Sequence, residues 1–395
     1  MKNILDVNKA DKPKDTQESP SKEDLKQELQ RKIEKMSKIM ILTDSQIFIQ
    51  REKKFYENLI NFIDSENDVL EEFIVFQKYL DESKFGKTQD ELVSLLQILS
   101  KLSANRVNSE IFRQKIEKIL SYYEIEIKQT LSNEDLFVIF RNNKLILLYL
   151  LKNNLMAIDD TIIKFVDANF FYPEINDQKG IEKVDNTKND DDILFDQKRS
   201  IGENDSYVCH LIRYDAIDEF SIYVTQTNLS LNYTIKPSIF ESNHFLIERM
   251  KDSQKVELIE YAAFFGSIQI INFLINNKIK MVPSLWLFAI HSRNADLIHL
   301  LERHKVHPPM NNYVAFLHEA LLCGYEEMAD YFQNNLEGTQ SIQVNICYES
   351  SFTLNYLLQY DYYALVNLYN HSEINNVISK KNKVLFKFFF MMNLR

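Results

Sequence analysis

The chain has 395 residues, 45% of them apolar and 26% charged, enough for two or more domains with a true hydrophobic core. Phe (27) and Tyr (20) are abundant while Gly (6) and Pro (7) are scarce, which favours helices joined by short turns and leaves no glycine-rich phosphate loop. The net charge of −11 argues against a broad nucleic-acid surface, so no nucleic-acid partner is expected.

Cys209, Cys323 and Cys347 have neither disulfide-framework nor zinc-finger spacing, and reduced thiols in the cytoplasm are expected, the nucleus not being excluded. The first fifteen residues lack the long apolar segment of a signal peptide, so no secretory leader is expected. No run reaches the ~20 apolar residues that span a bilayer, so no transmembrane segment is expected.

Residues 1–20 are polar and charged, with little to bury, and are expected to be disordered. Ser21 then offers an N-cap, and Leu25, Leu29, Ile33, Met36 and Met40 form one apolar stripe on a helix. The stripe suits packing on its own domain or a short coiled coil. Helical periodicity continues through residues 21–171, the expected N-terminal helical domain. Phe55, Leu59, Phe62 and Ile63 mark one helix; Leu70, Phe73, Ile74 and Phe76 a second. Leu92, Leu95, Leu96, Ile98 and Leu99 mark a third, and Ile111, Ile116, Ile119, Leu120 and Tyr123 a fourth. Period-two alternation of useful length is absent, so no sheet is expected. Residues 172–204 are polar, include Asp190, Asp191 and Asp192, and read as a linker or long loop.

From 205 to 376 a unit recurs. LIEYAAFFGSIQIINFLIN (258–276) is a short apolar helix, a turn at Gly266, and a second amphipathic helix. FAIHSRNADLIHLLERHKV (288–306) puts Arg293 where Gly266 stands, and EALLCGYEEMADYFQNNL (319–336) puts Gly324 there. Residues 206–228 and 353–370 are looser copies, and 136–154 is a fainter echo with Asn142 at the turn. About 25 extra residues, Asn232 to Val256, separate the first copy from the second. Turn spacing near 30 residues is that of helical solenoids, whose units bury their faces only by stacking.

The unit resembles an ankyrin repeat: Leu258, Ala262, Ala263, Gly266, Ile270, Ile271, Phe273 and Leu274 fit its Leu-x-x-Ala-Ala-x-x-Gly core and following apolar positions. The usual Thr-Pro-Leu-His start is missing. With PSIFESNHFL ahead of it and SLWLFAIHSRNADLIHLLERHKV after, the array is similar to a divergent ankyrin class, a domain of unknown function abundant in parasitic protists. The resemblance implies an all-α fold, a helical N-terminal domain followed by a degenerate ankyrin-like α-solenoid. It also implies an unknown protein partner held at projecting loops, namely Lys278, Lys280, Met281 and Pro283, then Lys305, His307, Pro308 and Met310. Trp286 is either a binding anchor on that edge or a core residue.

Chemistry is hard to find. His291, His299, His304, His307 and His318 bunch together, but their spacing diverges from a tetrahedral metal site, and no metal or cofactor is expected. Cys323 and His318 are the candidate nucleophile–base pair; they fall on different faces of one helix, and a Cys–His pair requires a partner from another repeat. The tail, residues 377–395, carries an apolar Phe/Met run flanked by Lys380, Lys381, Lys383, Lys387 and Arg395. The leading expectation is a non-enzymatic protein-binding scaffold. The alternatives are a peripheral membrane adaptor acting through this tail and a thiol-dependent enzyme.

Overall fold

The structure is a computed structural model that describes residues 50, 51, 53–178, 190–251, 255–307 and 314–335. Among the described residues the chain is all-α, with one isolated antiparallel bridge between Thr234 and Glu257 and no named strand. The predicted helix over 21–40, the last repeat copy at 353–370 and the tail 377–395 lie outside them.

The first region comprises α1 (residues 53–64), α2 (Val69–Ser83), α3 (Gln89–Asn105), α4 (Glu110–Tyr122), α5 (Glu124–Thr130), α6 (Asn133–Phe140) and α7 (Lys144–Lys152). Short polar residues start these helices by accepting from orphan backbone N–H groups: Asp68 for α2, Thr88 for α3, Ser109 for α4, Ser132 with Asp135 as a capping box for α6, and Asn143 for α7. Phe55, Leu59, Leu95, Leu99, Leu102, Ile119, Tyr123 and Phe140 are fully buried in one shared core. Lys115 is buried too, and its ammonium donates to the carbonyls of Ile63 (3.2 Å) and Ser65, satisfying the end of α1. Burial lowers its pKa. The apolar set expected on α2 divides: Phe73 and Phe76 are buried, whereas Leu70 and Ile74 face outward at 56% and 59% exposure.

The polar stretch expected as a linker is partly helical instead. Tyr172–Gln178 forms α8 and Asp190–Ile201 forms α9. The reason is Arg199, which is buried and donates to the Phe170 carbonyl (3.0 Å), Glu174 (2.6 Å) and Asp196 (2.7 Å). A charge held by three acceptors anchors a segment whose apolar content alone is too low to do so.

The second region is a row of helix hairpins: α10 (Tyr207–Arg213) with α11 (Ile217–Thr227), α13 (Leu258–Phe265) with α14 (Ile268–Asn276), α15 (Leu285–Ser292) with α16 (Ala295–Arg303), and α17 (Val314–Cys323) with α18 (Glu326–Asn335). The extra segment between the first two hairpins carries α12 (His244–Lys251). The first helices pack in chain order, α10 on α13, α13 on α15, α15 on α17. Ala262, Ala289 and Ala320 are fully buried on three of these helices, where a methyl side chain lets neighbours approach closely.

The turns repeat in detail. Within each hairpin one residue adopts the left-handed conformation: Asp215 (φ 49°), Gly266 (71°), Arg293 (51°) and Gly324 (67°). The next N–H reaches back five residues in three of them, Ala216 to Leu211 (3.0 Å), Ser267 to Ala262 (2.9 Å) and Tyr325 to Ala320 (3.0 Å). The second helices of three hairpins end the same way at Asn228, Lys278 and Lys305, with Leu229, Ile279 and Val306 bonding to Val224, Leu274 and Leu301. Neighbouring turns also interlock: the Asp215 carboxylate accepts from Gln269 N (3.0 Å) and Ile270 N (2.9 Å) at the start of α14.

The two regions join through α3, which packs against α17 and α12. Arg106, at the end of α3, is buried and donates to the carbonyls of Cys323 (2.7 Å) and Gly324 (3.1 Å) while pairing with Asp64. Its own carbonyl accepts from Asn243 of the extra segment (3.1 Å). The guanidinium thus satisfies the carbonyl end of α17, where cations are favoured.

Candidate functional site

Two places deserve comparison as sites: the loop edge between hairpins and a buried cluster inside the joint. The loop edge is set by the left-handed ends of α14 and α16. Lys278, Lys280, Pro283, Lys305 and His307 are exposed there, and Met281 is half-buried against the core. Arg303 and His304 are exposed beside Lys305. The edge is therefore basic on a chain whose net charge is −11. Pro308 and Met310 lie outside the described residues.

Of the two readings of Trp286, its position is the core. It is 2% exposed, its indole N–H donates to the Val306 carbonyl (2.6 Å), and its ring packs on Phe316 and Phe332. A buried indole with its one donor satisfied is what packing demands of Trp. It holds the Lys305–His307 loop from beneath.

The buried cluster is His291, Glu319 and Cys323, three donor groups whose ligand atoms all lie within 4.8 Å of one another. His291 comes from the last turn of α15; Glu319 and Cys323 are four residues apart on α17, hence on one face. His291 and Cys323 are 1% and 0% exposed. The imidazole is flanked by Phe245, 4.0 Å between ring centres, and Phe264, 5.2 Å. His291 Nδ1 donates to the backbone carbonyl of Asn105 in α3, and the Cys323 sulfur lies 3.5 Å from the same nitrogen. Nε2 stands 3.1 Å from Oε1 of Glu319, an ion-pair distance, but out of line for a hydrogen bond. Burial pushes the imidazole pKa down, yet Cys323 and Glu319 push it up further, to about 10. Burial raises the Glu319 carboxyl, and His291 more than offsets this, leaving it below the usual range. The cluster favours a protonated imidazole beside an ionised carboxylate.

The histidines do not form one group. His299 is exposed and pairs with Glu302 (3.1 Å), and His304 is exposed at the end of α16. The histidine beside Cys323 is His291, from the neighbouring hairpin, rather than His318 five residues before it. Sequence reasoning missed this trio, although a signal was present. Placing Arg293 and Gly324 in register brings His291 and Cys323 nearly level on adjacent helices, and Glu319 is one helical turn from Cys323. Asp64 and Arg106, which brace the joint, have no such signal. No family model, curated protein or solved structure matches the chain.

Proposed function

We propose that this protein is a non-enzymatic scaffold, an ankyrin-like α-solenoid that holds a protein partner with an acidic surface at its loop edge. The observation that carries this reading is the repeated left-handed ending at Lys278 and Lys305. It projects Lys278, Lys280, Arg303, Lys305 and His307 from successive hairpins while the helices behind them are locked in a core. A rigid row of hairpins with exposed, basic loop tips suits surface recognition, and opposite charge steers and orients such a partner. Among the described residues no helix is long and apolar enough to cross a membrane. The burial of Cys323 and of its neighbouring histidine supports a packing role for this thiol over a reaction at it.

The test uses the full chain as bait in native lysate, beside a variant carrying Lys278→Glu, Lys280→Glu, Lys305→Glu and His307→Glu. A protein retained by the wild type, released by salt, and absent from the variant supports the loop edge. Identical captures by the two baits would sink it.

A further inference from the structure

We propose that His291, Glu319 and Cys323 form a site for a zinc-class divalent cation, which fastens α15 and α17 to each other beside the end of α3. The argument starts from the histidine tautomer. A carbonyl oxygen only accepts, so the contact to Asn105 fixes the proton on Nδ1. This is the outer bond that orients a metal-ligating imidazole, and it turns the second nitrogen toward the site. That nitrogen, Nε2, is buried without a hydrogen-bond partner and stands 3.1 Å from Glu319 Oε1.

A ring nitrogen and a carboxylate oxygen this close require a positive species between them, a proton or a metal ion. A bridging proton lies along the N–H direction, and the carboxylate oxygen is off that line. A metal ion need not sit on it. Two donors each about 2.0 Å from one tetrahedral zinc are about 3.3 Å apart, close to the spacing here.

Cys323 supplies the third donor. It is fully buried on the same face of α17 as Glu319, and the donor atoms lie within 4.8 Å of one another. The sulfur now stands 3.5 Å from Nδ1, so binding an ion at Nε2 requires the Cys323 side chain to turn toward that nitrogen. A thiolate–imidazole–carboxylate set selects zinc or cobalt over magnesium and calcium, which prefer all-oxygen shells. Three protein donors leave the fourth position of a tetrahedral ion to a water, beside the half-buried Glu319. This proposal is independent of the loop edge and of any partner.

Cobalt gives the readout. The full chain, reduced and stripped with chelator, is titrated with Co²⁺ and followed by absorption. The expected result is stoichiometric uptake with a near-ultraviolet thiolate-to-cobalt band and strong visible bands of a tetrahedral ion. Zinc displaces these bands and raises the melting temperature. Cys323→Ser abolishes the thiolate band. A folded wild-type chain that takes up no cobalt would mean that a proton alone fills the gap, and the proposal fails. It fails equally if the band survives in Cys323→Ser, because the ion then sits elsewhere. If circular dichroism shows that Cys323→Ser is unfolded, Glu319→Gln decides: the thiolate band persists but half-saturation moves to at least tenfold higher cobalt, and unchanged affinity overturns the site.

Discussion

Helices α1–α7 and the hairpins from α10 to α18 each enclose an apolar core, yet only the second region does so with a repeated turn. In the first region five helix starts, those of α2, α3, α4, α6 and α7, each have their own capping residue, long-range groups such as Lys115 close helix ends, and part of an apolar stripe remains outside on α2. In the second, one left-handed residue ends the first helix of each hairpin, and short bonds tie each turn to the next. The contrast separates two ways of fixing a fold. A stack of similar units obtains its geometry from local turns and nearest neighbours, whereas an irregular bundle depends on individual distant contacts. The joint between them belongs to neither scheme, because it is made by a few buried charged groups.

The largest expected effect comes from breaking that joint. Arg106→Ala leaves the carbonyls of Cys323 and Gly324 short of a donor and the Asp64 carboxylate with Arg293 alone, so a loss of about 3–5 kcal/mol is expected in urea denaturation. If the regions share one cooperative transition, that transition moves as a whole; two separated transitions would show that each region folds alone.

Glu241 sharpens the comparison in the extra segment between the first two hairpins. Burial raises its carboxyl to about 7, with Glu203 adding to the rise and the Asn243 N–H and Arg213 opposing it. A carboxyl raised on folding binds its proton more tightly in the folded chain, so stability falls as pH rises from the unfolded value near 4.5 through about 7. Glu241→Gln keeps an acceptor for the N–H groups of Ser242 and Asn243 and removes the charge. It should therefore stabilise the protein by about 3 kcal/mol at pH 8 and hardly at all at pH 4. Equal effects of the substitution at both pH values would contradict this.

Gly324 tests where the hairpin turn meets the first region. A Cβ there would lie 3.0 Å from Leu102 and 3.1 Å from the Tyr56 hydroxyl, in a conformation that L residues disfavour. Gly324→Ala should cost about 1–2 kcal/mol by thermal or urea denaturation. The smallest effect is at the other turn position. Lys305 holds φ 54° with its side chain exposed, so Lys305→Gly relieves strain at the expense of backbone entropy, with a net gain of about 0.5 kcal/mol. A loss instead would mean that the lysine stem contributes packing at the loop edge.

Much of this arrangement is legible in the residues. Periodicity marks α1, α3 and α4, the register of Gly266, Arg293 and Gly324 marks the turns, and the alanines mark the close helix faces. Polarity misleads at 172–204, because an arginine with three acceptors replaces the missing apolar anchor. Periodicity also overcounts on α2, where Leu70 and Ile74 share the stripe but not the burial. For the buried cluster, histidine bunching directs attention to His299, His304 and His307, while the meaningful neighbours lie on another helix.

The sequence by itself determines the helical class, the hairpin unit and the position of its turns, since spacing, caps and left-handed residues act within a few positions of one another. The tertiary structure alone decides that Trp286 is a core residue, that Arg106 closes α17, and that His291 meets Glu319 and Cys323. Those outcomes depend on which helix faces which, a matter of shape and charge across as many as 218 positions of chain, and no local pattern encodes it.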